Sequence, residues 1–500
     1  MKRLMLAALA ALGLCGHAAA QDRFDLQAMS RAELTAFTRA MPKGGDIHIH
    51  LSGAPYPETY LQWAAEDGLC VDLVQLALTD TCTPGGDLVL ASALTPDQRA
   101  AMMDSLSTRR PGFAGRTGHD QFFTAFDRFG WTREYRRADM LADLMQTLAM
   151  QNTFYLEVMW MPQSGASRRA GTAVGWNEDF AAMDAALAPS LPDLLAAAIA
   201  ETDAMEARAR ELLRCPPEDR PADIIGGHGL AGCSVTVRYL VQANRLVPPE
   251  QTYGQLALGA ALIAADPRWV GLQLVAPEDH PNALANYDTH MAMFDWFTRR
   301  GVPASLHAGE LTLAYATPLE MDDHVSGAVR AGARRIGHGI AIPHEVDAQG
   351  LVARMAEELI AVEVNLTSND VILEVEGDDH PVIWLRQAGV PVVYTTDDPG
   401  ISRIDLSHEY ARAVTDTGAT YADLVTSARN AIAFSFLPGE NLWLDPGRYR
   451  SPHAACAADL GDGALSDRCE DFLQDSARAR EQFRYERLLA EFEADWRGRD

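Results

Sequence analysis

Four short polar clusters in this 500-residue chain carry residue types that can bind a metal ion and move protons. Three histidines and one carboxylate among them are enough to hold a single metal ion. Glu310, His338 and the second of two adjacent aspartates would then remain for acid–base chemistry and substrate binding. The clusters are His48-Ile49-His50, His307-Ala308-Gly309-Glu310, Gly337-His338-Gly339 and Asp397-Asp398.

Each cluster also has a simpler interpretation when it is considered alone. A pair such as His48 and His50 can arise by chance in a chain with 14 histidines, and His307 fits a buried core histidine. His338 and Asp398 fit ordinary turns, because glycine or Pro-Gly stands beside each of them. One shared site is nevertheless favoured, because every cluster follows an apolar, strand-like run.

The runs before the clusters belong to a series of eight predicted strands, with helical patterns between most of them. Such alternation favours parallel pairing, and eight units predict an α/β fold of the closed (β/α)8 TIM barrel type. An open doubly wound sheet would need a glycine-rich phosphate loop where the sequence reads Leu51-Ser52-Gly53-Ala54-Pro55. The predicted strands are Asp46–Leu51, Thr153–Trp160, Val235–Val241, Val270–Val275, Ala304–His307, Arg335–His338, Ala361–Leu366 and Pro391–Thr396.

Residues 21–500 are predicted to form a single barrel domain. Two long stretches, about residues 66–117 and 161–231, follow the first and second strands. We interpret both as insertions, because neither carries enough elements for a core of its own. A C-terminal extension from about residue 446 ends in a charged amphipathic helix, Ser476–Trp496.

The first twenty residues have the pattern of a secretory signal. Lys2 and Arg3 form a basic start, Leu4–Leu14 a short apolar core, and Ala18-Ala19-Ala20 a small-residue cleavage site. The apolar core is too short for a bilayer-spanning anchor. We therefore expect an exported protein, periplasmic or secreted, that has no membrane association after cleavage.

The composition limits the partners of the mature chain. Its formal charge of −27 disfavours nucleic acids and anionic membranes, which leaves a small-molecule ligand and allows a homo-oligomer. Six cysteines remain after cleavage, and an even number in an exported chain favours disulfides. Pairing between neighbours is the simplest connectivity, and buried free thiols are the alternative. The neighbouring couples are Cys70 and Cys82, Cys215 and Cys233, and Cys456 and Cys469.

Taken together, the clusters resemble the adenosine deaminase family of the metal-dependent hydrolase superfamily. The likeness covers roughly residues 36–445, and the matching segments occur in the family's order. The Pro42-Lys43-Gly44-Gly45 opening and the export signal look closest to the secreted, adenosine-deaminase-related growth factor branch. The matching segments are Met41–His50, Leu306–Glu310, Arg335–Gly339, Thr367–Asn369 and Thr396–Pro399.

The resemblance implies hydrolytic deamination of a purine nucleoside. The simplest reaction converts adenosine or deoxyadenosine to inosine or deoxyinosine and ammonia, by attack of a metal-bound hydroxide on C6. His338 would orient and deprotonate the water, Glu310 would protonate ring N1, and Asp398 would accept a hydrogen bond from the purine. One Zn²⁺ per chain would be held by His48, His50, His307 and Asp397.

Two departures from the family pattern concern the substrate. Many members carry an aspartate where Ser52 stands, and that aspartate touches the ribose. The family's glycine-containing stretch after the fourth strand aligns with Leu274–Asp279, where Ala276 is a predicted substrate contact. Both changes leave the metal ligands intact and leave the preferred nucleoside open.

Two other functions are compatible with parts of the pattern. A binuclear barrel hydrolase acting on another C–N bond usually bridges its metals with a carboxylated lysine. The mature chain offers only Lys43, about one strand length before His48. A secreted zinc-binding protein without activity would not need Glu310 or His338, and both are present.

Overall fold

The computed structural model describes residues 24–110, 115–130, 132–216, 232–460 and 465–497. The predicted signal sequence lies outside this part of the chain, as do residues 111–114 and 217–231 of the two predicted insertions. The described strands are β1 Gly44–His50, β2 Cys70–Asp72, β3 Ala77–Thr79, β4 Leu88–Leu90, β5 Thr153–Trp160, β6 Thr236–Asn244, β7 Trp269–Val275, β8 Ser305–Ala308, β9 Arg335–His338, β10 Ala361–Val364 and β11 Val392–Tyr394.

Eight of these described strands form a parallel barrel. One sheet has the order β1-β5-β6-β7 and another the order β11-β10-β9-β8. Backbone pairing of Ile49 with Asp397 joins the first strand to the segment after β11, and pairing of Leu272 with Ala304 joins β7 to the segment before β8. The two sheets therefore close into a ring. The predicted (β/α)8 barrel is confirmed, and all eight predicted strands are present.

Helices cover the outside of the barrel strands, so these strands are buried on both faces and have near-continuous apolar sequences. All eight residues of β5 are buried, for example. The described helices are α1 Arg31–Ala40, α2 Pro57–Glu66, α3 Pro96–Ser105, α4 Gly118–Arg128, α5 Thr132–Tyr135, α6 Arg137–Met150, α7 Ser164–Val174, α8 Phe180–Leu187, α9 Leu191–Leu212, α10 Pro249–Ala265, α11 Pro281–Ala285, α12 Tyr287–Thr298, α13 Pro318–Met321, α14 His324–Arg330, α15 Ala348–Glu357, α16 Leu366–Leu373, α17 Val382–Ala388, α18 Pro399–Ser402, α19 Leu406–Thr417, α20 Tyr421–Ala433, α21 Asp467–Asp475 and α22 Ala477–Arg497.

The two long stretches contain secondary structure of their own. The first holds the small antiparallel sheet β3-β2-β4 and helix α3, and the second holds α7, α8 and α9. Val71 and Leu78 from the first, and Met183 and Met205 from the second, belong to the same hydrophobic core as the barrel. This shared core is consistent with insertions in one domain, and that division stays a prediction.

Three disulfides are present in the described residues. They join Cys70 to Cys82, Cys215 to Cys233, and Cys456 to Cys469. The predicted pairing between neighbours is therefore confirmed. The last disulfide lies in the C-terminal extension, where α22 extends from residue 477 to residue 497, close to the predicted helix.

Among the described helices, none is by itself long and apolar enough to cross a membrane. The helices α8 and α9, which are bent relative to one another, reach that length and apolar composition only when they are taken together.

Candidate metal centre and active site

The barrel brings the four predicted metal ligands to one end of the parallel strands. His48 and His50 lie at the end of β1, His307 lies near the end of β8, and Asp397 follows β11. Because the carboxyl ends of parallel barrel strands open at the same mouth, these side chains meet although they lie far apart in the sequence. All four are buried.

The distances between the ligating atoms suit a tetrahedral metal ion. Nε2 of His50 lies 3.3 Å from Nε2 of His307. Oδ1 of Asp397 lies 3.4 Å from Nε2 of His48 and 3.3 Å from Nε2 of His50. A tetrahedral ion with nitrogen and oxygen ligands at about 2.0–2.1 Å requires separations of about 3.3–3.4 Å between them. These three of the six separations within the predicted ligand set therefore have the spacing that such an ion needs.

Hydrogen bonds around the centre direct the free nitrogens of two histidines inwards. Nδ1 of His48 donates to Oε2 of Glu363 at 2.6 Å, and Nδ1 of His50 donates to Oε1 of Gln242 at 3.1 Å. In each neutral ring the Nε2 lone pair is then available to a metal, as is usual for metal-binding histidines. Nε2 of His48 is buried and has no hydrogen-bond partner in the described chain. A bound cation would satisfy this nitrogen.

Burial and neighbouring charges shift the pKa values of the histidines in the centre. Burial opposes the charged form of His48, but the carboxylate of Asp397, 3.4 Å from Nε2, and that of Glu363, bonded to Nδ1, raise its pKa to about 10. Burial lowers the pKa of His307 well below its usual value, and the positive charge of His48 adds to this effect. Protons and a metal ion would therefore compete for the same nitrogens.

Asp397 is also held from outside the metal centre. Oγ of Ser368 donates to its Oδ2 at 2.7 Å, which leaves Oδ1 directed at the histidines. The Asp397 backbone pairs with β1, because its N–H donates to the carbonyl of His48 and its carbonyl accepts from the N–H of His50. These bonds keep Asp397 at a φ of 60°, a strained conformation for a residue with a side chain.

Glu310 lies in the loop after β8, and a second glutamate holds this loop in place. The backbone N–H of Glu310 donates to Oε2 of Glu278 at 2.7 Å, and the N–H of Gly309 donates to Oε1 at 3.1 Å. Burial and the negative charge of Asp397 raise the pKa of Glu310 well above its usual value. Glu310 is therefore placed to hold a proton that it can donate near neutral pH.

His338 ends β9, and a chain of hydrogen bonds sets its tautomer. The N–H of Val382 donates to Nδ1 of His380 at 3.1 Å, so the neutral His380 ring carries its proton on Nε2. This nitrogen donates to Oδ1 of Asn369 at 3.2 Å, and Nδ2 of Asn369 donates to Nδ1 of His338 at 2.9 Å. Burial lowers the pKa of His338 to about 3, so its ring is neutral and carries its proton on Nε2.

Distance alone does not separate His338 from the metal ligands. One ligating atom of His338 lies within 4.8 Å of those of His48, His307 and Asp397. The assignment of His338 to water activation, with His48, His50, His307 and Asp397 as the ligands, stays a prediction.

The centre opens into a cavity of about 460 Å³. Phe122, Phe123 and Phe126 of α4 form part of its wall and make that part apolar. All three predicted substrate contacts, Ser52, Ala276 and Asp398, line the same cavity. The cavity volume is in the range of small-molecule sites.

Two backbone features shape the substrate side of this cavity. Ala276 has a φ of 86°, a conformation that glycine adopts without strain and that aligns with the family's glycine-containing stretch. Asp398 lies against Gly53, where an added Cβ would come 1.5 Å from Oδ1 of Asp398. This oxygen is buried without a hydrogen-bond partner in the described chain. Burial raises the pKa of Asp398 well above its usual value, and repulsion by Asp397 contributes to this rise.

Lys43 lies at the opposite end of β1 from the metal centre. Its Nζ donates to the carbonyl oxygens of Met41 at 2.9 Å and Gln151 at 2.6 Å, and the side chain is buried. This lysine is therefore not placed to bridge two metals at the histidine cluster.

Four residues that the sequence predictions did not assign to the site support it. Asn369 stands inside the matching Thr367–Asn369 segment, and Glu278 inside the Leu274–Asp279 stretch, so a local signal existed for both. Glu363 and Gln242 are polar residues within otherwise apolar strands, which is the signal that could have identified them. Their partners lie 192 or more positions away, so the sequence did not reveal the contacts.

Comparison with known proteins finds a family likeness over part of the chain. Residues 226–442 match the family model described as Adenosine deaminase. An adenine deaminase from Rhizobium etli is 32% identical over 212 residues, which are 42% of this chain and 61% of that protein. An adenosine deaminase from Shewanella loihica is 30% identical over 204 residues, 40% of this chain and 57% of that protein. The chain thus matches about three fifths of the length of these relatives.

The fold is similar to that of a solved deaminase as well. The structure of the N6-mAMP deaminase from Arabidopsis covers 81% of this chain and 96% of its own, with a TM-score of 0.52 and 20% sequence identity. At this identity the structural likeness supports the barrel fold alone. The assignment to the growth factor branch stays a prediction. The sequence matches thus make residues 226–442 similar to the adenosine deaminase family, and the barrel is consistent with that likeness.

Proposed function

We propose that this protein is a zinc-dependent hydrolase that deaminates a purine nucleoside, with adenosine or deoxyadenosine as the simplest substrate. The observation that carries the proposal is the convergence of Glu310, His338, Asp398 and the metal centre on one cavity. Relatives named adenine deaminase and adenosine deaminase support an aminopurine as the substrate. The cavity volume of about 460 Å³, with Ser52 in its lining, leaves room for a sugar as well as a purine.

The metal ligands would be His48, His50, His307 and Asp397. When bound, Zn²⁺ supplies a Lewis acid that lowers the pKa of a water molecule towards neutrality. Three imidazoles and one carboxylate are ligand types that zinc accepts. Glu363, Gln242 and Ser368 would fix the orientation of three of these ligands.

The chain's own groups account for the movement of protons. Glu310 holds a proton because its pKa is raised, and it donates this proton to ring N1, which makes C6 more electrophilic. Oδ1 of Asp398 has no hydrogen-bond partner in the described chain, so it is available to bind the substrate. The proton that water gives up on adding to C6 goes to the exocyclic amino group, the bond from C6 to that nitrogen breaks, and ammonia leaves. The remaining C6 hydroxyl then returns a proton to Glu310 as the carbonyl forms.

His338 would orient the attacking water through Nε2. In the tautomer that Asn369 supports, this nitrogen donates a hydrogen bond to the water oxygen. To act as the base, the ring would need its proton on Nδ1, and Asn369 would have to turn its amide oxygen towards His338. The amide of Asn369 therefore influences which role His338 performs.

We also propose that the protein is exported to the periplasm or secreted. Three disulfides within the described residues support an oxidising compartment. Fractionation of expressing cells, with N-terminal sequencing, should find the mature protein outside the cytoplasm and beginning at Gln21. An uncleaved chain in the cytoplasm would contradict this proposal.

The activity is tested by ammonia release from a panel of aminopurines. Zinc-loaded protein should deaminate adenosine or deoxyadenosine, and adenine and AMP complete the panel. Metal content is measured on the same samples, so that a lack of metal is not mistaken for a lack of activity. If none of these compounds is deaminated while zinc is bound, the proposal fails. Turnover of a non-purine amide instead would favour the alternative barrel hydrolase.

A further inference from the structure

A second cavity adjoins the one at the metal centre. Its volume is about 580 Å³, and both cavities are lined by Ser52, Gln242 and Asn244. The additional lining comes mainly from the segment after β5, including the first turns of α7, and from Trp160 at the end of β5 itself. The second cavity therefore lies at the same barrel mouth and continues from the side of the first cavity where Ser52 lies.

Arginines give this second cavity a surplus of positive charge. Its charged lining residues are Arg137, Arg168, Arg169, Glu134 and Glu201. Arg137 donates to both glutamates, so these three residues carry a net charge of −1, and Arg168 and Arg169 bring the charge of the lining to +1. Arg168 and Arg169 form no ion pair within the described residues. Two arginines without an ion pair thus lie beside the substrate site, although the formal charge of the chain is −27.

Neutral donors lie between the two cavities. Oε1 of Gln242 accepts from His50, and Oδ1 of Asn244 accepts from the N–H of Leu246. The NH₂ groups of Gln242 and Asn244 have no acceptor among the described residues, so both remain available to a ligand. Amide donors together with guanidinium groups are the combination that binds phosphate oxygens.

The helix that carries the arginines adds to this electrostatic preference. α7 starts at Ser164, and neither a side-chain cap nor an acidic residue stands at its first turn. Glu201 does accept from the N–H of Gln163, just before the helix, and this contact offsets part of the positive potential there. The cavity as a whole still favours an anion, because its three arginines outnumber its two glutamates and neither Arg168 nor Arg169 forms an ion pair within the described residues.

Ser52 fits the same preference. Ser52 lines both cavities, so an uncharged side chain lies at their boundary. A negative charge there would repel an anionic group passing from the sugar towards Arg168. Serine leaves this passage uncharged and provides a hydroxyl group that can donate a hydrogen bond.

We propose that the second cavity binds a phosphate on the sugar of the substrate, so that the preferred substrate is a purine nucleotide. The inference rests on the proposed deaminase function and specifies its substrate class. The purine would lie beside Glu310, the sugar beside Ser52, and the phosphate between Arg168, Arg169 and the amide donors.

The test compares adenosine, 5′-AMP and 3′-AMP as substrates of the wild-type protein and of the double variant Arg168→Gln/Arg169→Gln. One nucleotide should have a kcat/KM at least about tenfold above that of adenosine in the wild type. The double variant should lose this advantage and keep the kcat/KM for adenosine within about twofold. Arg31→Gln, on the exposed surface of α1, removes a charge outside both cavities and should change neither value.

A binding measurement separates recognition from turnover. Calorimetry with the products should find that IMP binds at least about tenfold more tightly than inosine, and only in proteins that retain the arginines. Adenosine turnover without any nucleotide preference overturns the inference and leaves the deaminase proposal intact. Failure to deaminate any of the three compounds overturns the deaminase proposal itself. Equal losses for adenosine and nucleotide in the double variant also overturn the inference, because the arginines would then act on the fold.

Discussion

Glu363 should control the metal affinity of the centre through His48. Its Oε2 accepts from Nδ1 of His48 at 2.6 Å, and Oε1 accepts from Ser305 at 2.8 Å and from Arg335. The variant Glu363→Gln removes the charge that makes Nε2 of His48 a strong ligand. Loss of such a partner weakens metal binding about 10–100-fold, which corresponds to about 1.4–2.7 kcal/mol.

The chain offers a matched control for this variant. Glu157 pairs with the same buried arginine, Arg335, at 2.6 Å but, within the described residues, makes no hydrogen bond with His48. Glu157→Gln should therefore lower the thermal midpoint by a similar amount as Glu363→Gln, because each removes one carboxylate from Arg335. Its zinc affinity should stay within about threefold of the wild-type value.

The assay is competition for zinc with a chelator of known affinity, together with thermal unfolding of the metal-free proteins. The expected result is weaker zinc binding in Glu363→Gln alone and similar destabilisation of both variants. Wild-type zinc affinity in Glu363→Gln would refute the role of Glu363. An equal loss of affinity in Glu157→Gln would show that the network acts through general packing.

The remaining predictions concern the groups that act on the substrate. Glu310→Gln should lower kcat by about 10²–10⁴-fold, because it removes the donated proton, and should leave one metal per chain by elemental analysis. Asn369→Asp should move the proton of His338 from Nε2 to Nδ1, because a carboxylate only accepts hydrogen bonds. ¹⁵N NMR of the His338 ring reports the tautomer. An unchanged tautomer would contradict the role of this hydrogen-bond chain. Gly53→Ala should displace Asp398 and lower kcat/KM at least about tenfold with metal content unchanged, and wild-type kinetics would contradict the close approach.

The barrel and the positions of its polar clusters could be predicted from the sequence because both depend on local patterns. Runs such as Thr153–Trp160 are apolar and rich in strand-forming residues, and helical segments separate most of them. Parallel pairing then requires the ends of these runs to meet, which places His48 near Asp397 without any knowledge of their contacts. The cysteine pairing followed from short separations in the sequence.

The support of the site could not be predicted because it depends on contacts between distant segments. Glu363 lies 315 positions from His48, and its strand otherwise resembles any buried strand. The position of α4 over the cavity follows from its packing against α16, for which the sequence gives no local signal. The second cavity likewise forms only when the segment after β5 packs beside the ends of β1 and β6.

The central claim is most directly tested by titrating metal-free protein with Zn²⁺ while adenosine and AMP deamination is followed by ammonia release. Activity should be absent without metal, should rise in proportion to added zinc and should saturate at one zinc per chain. Saturation at two metals per chain would favour the binuclear alternative. Zinc binding at this ratio without deamination of either compound would contradict the account.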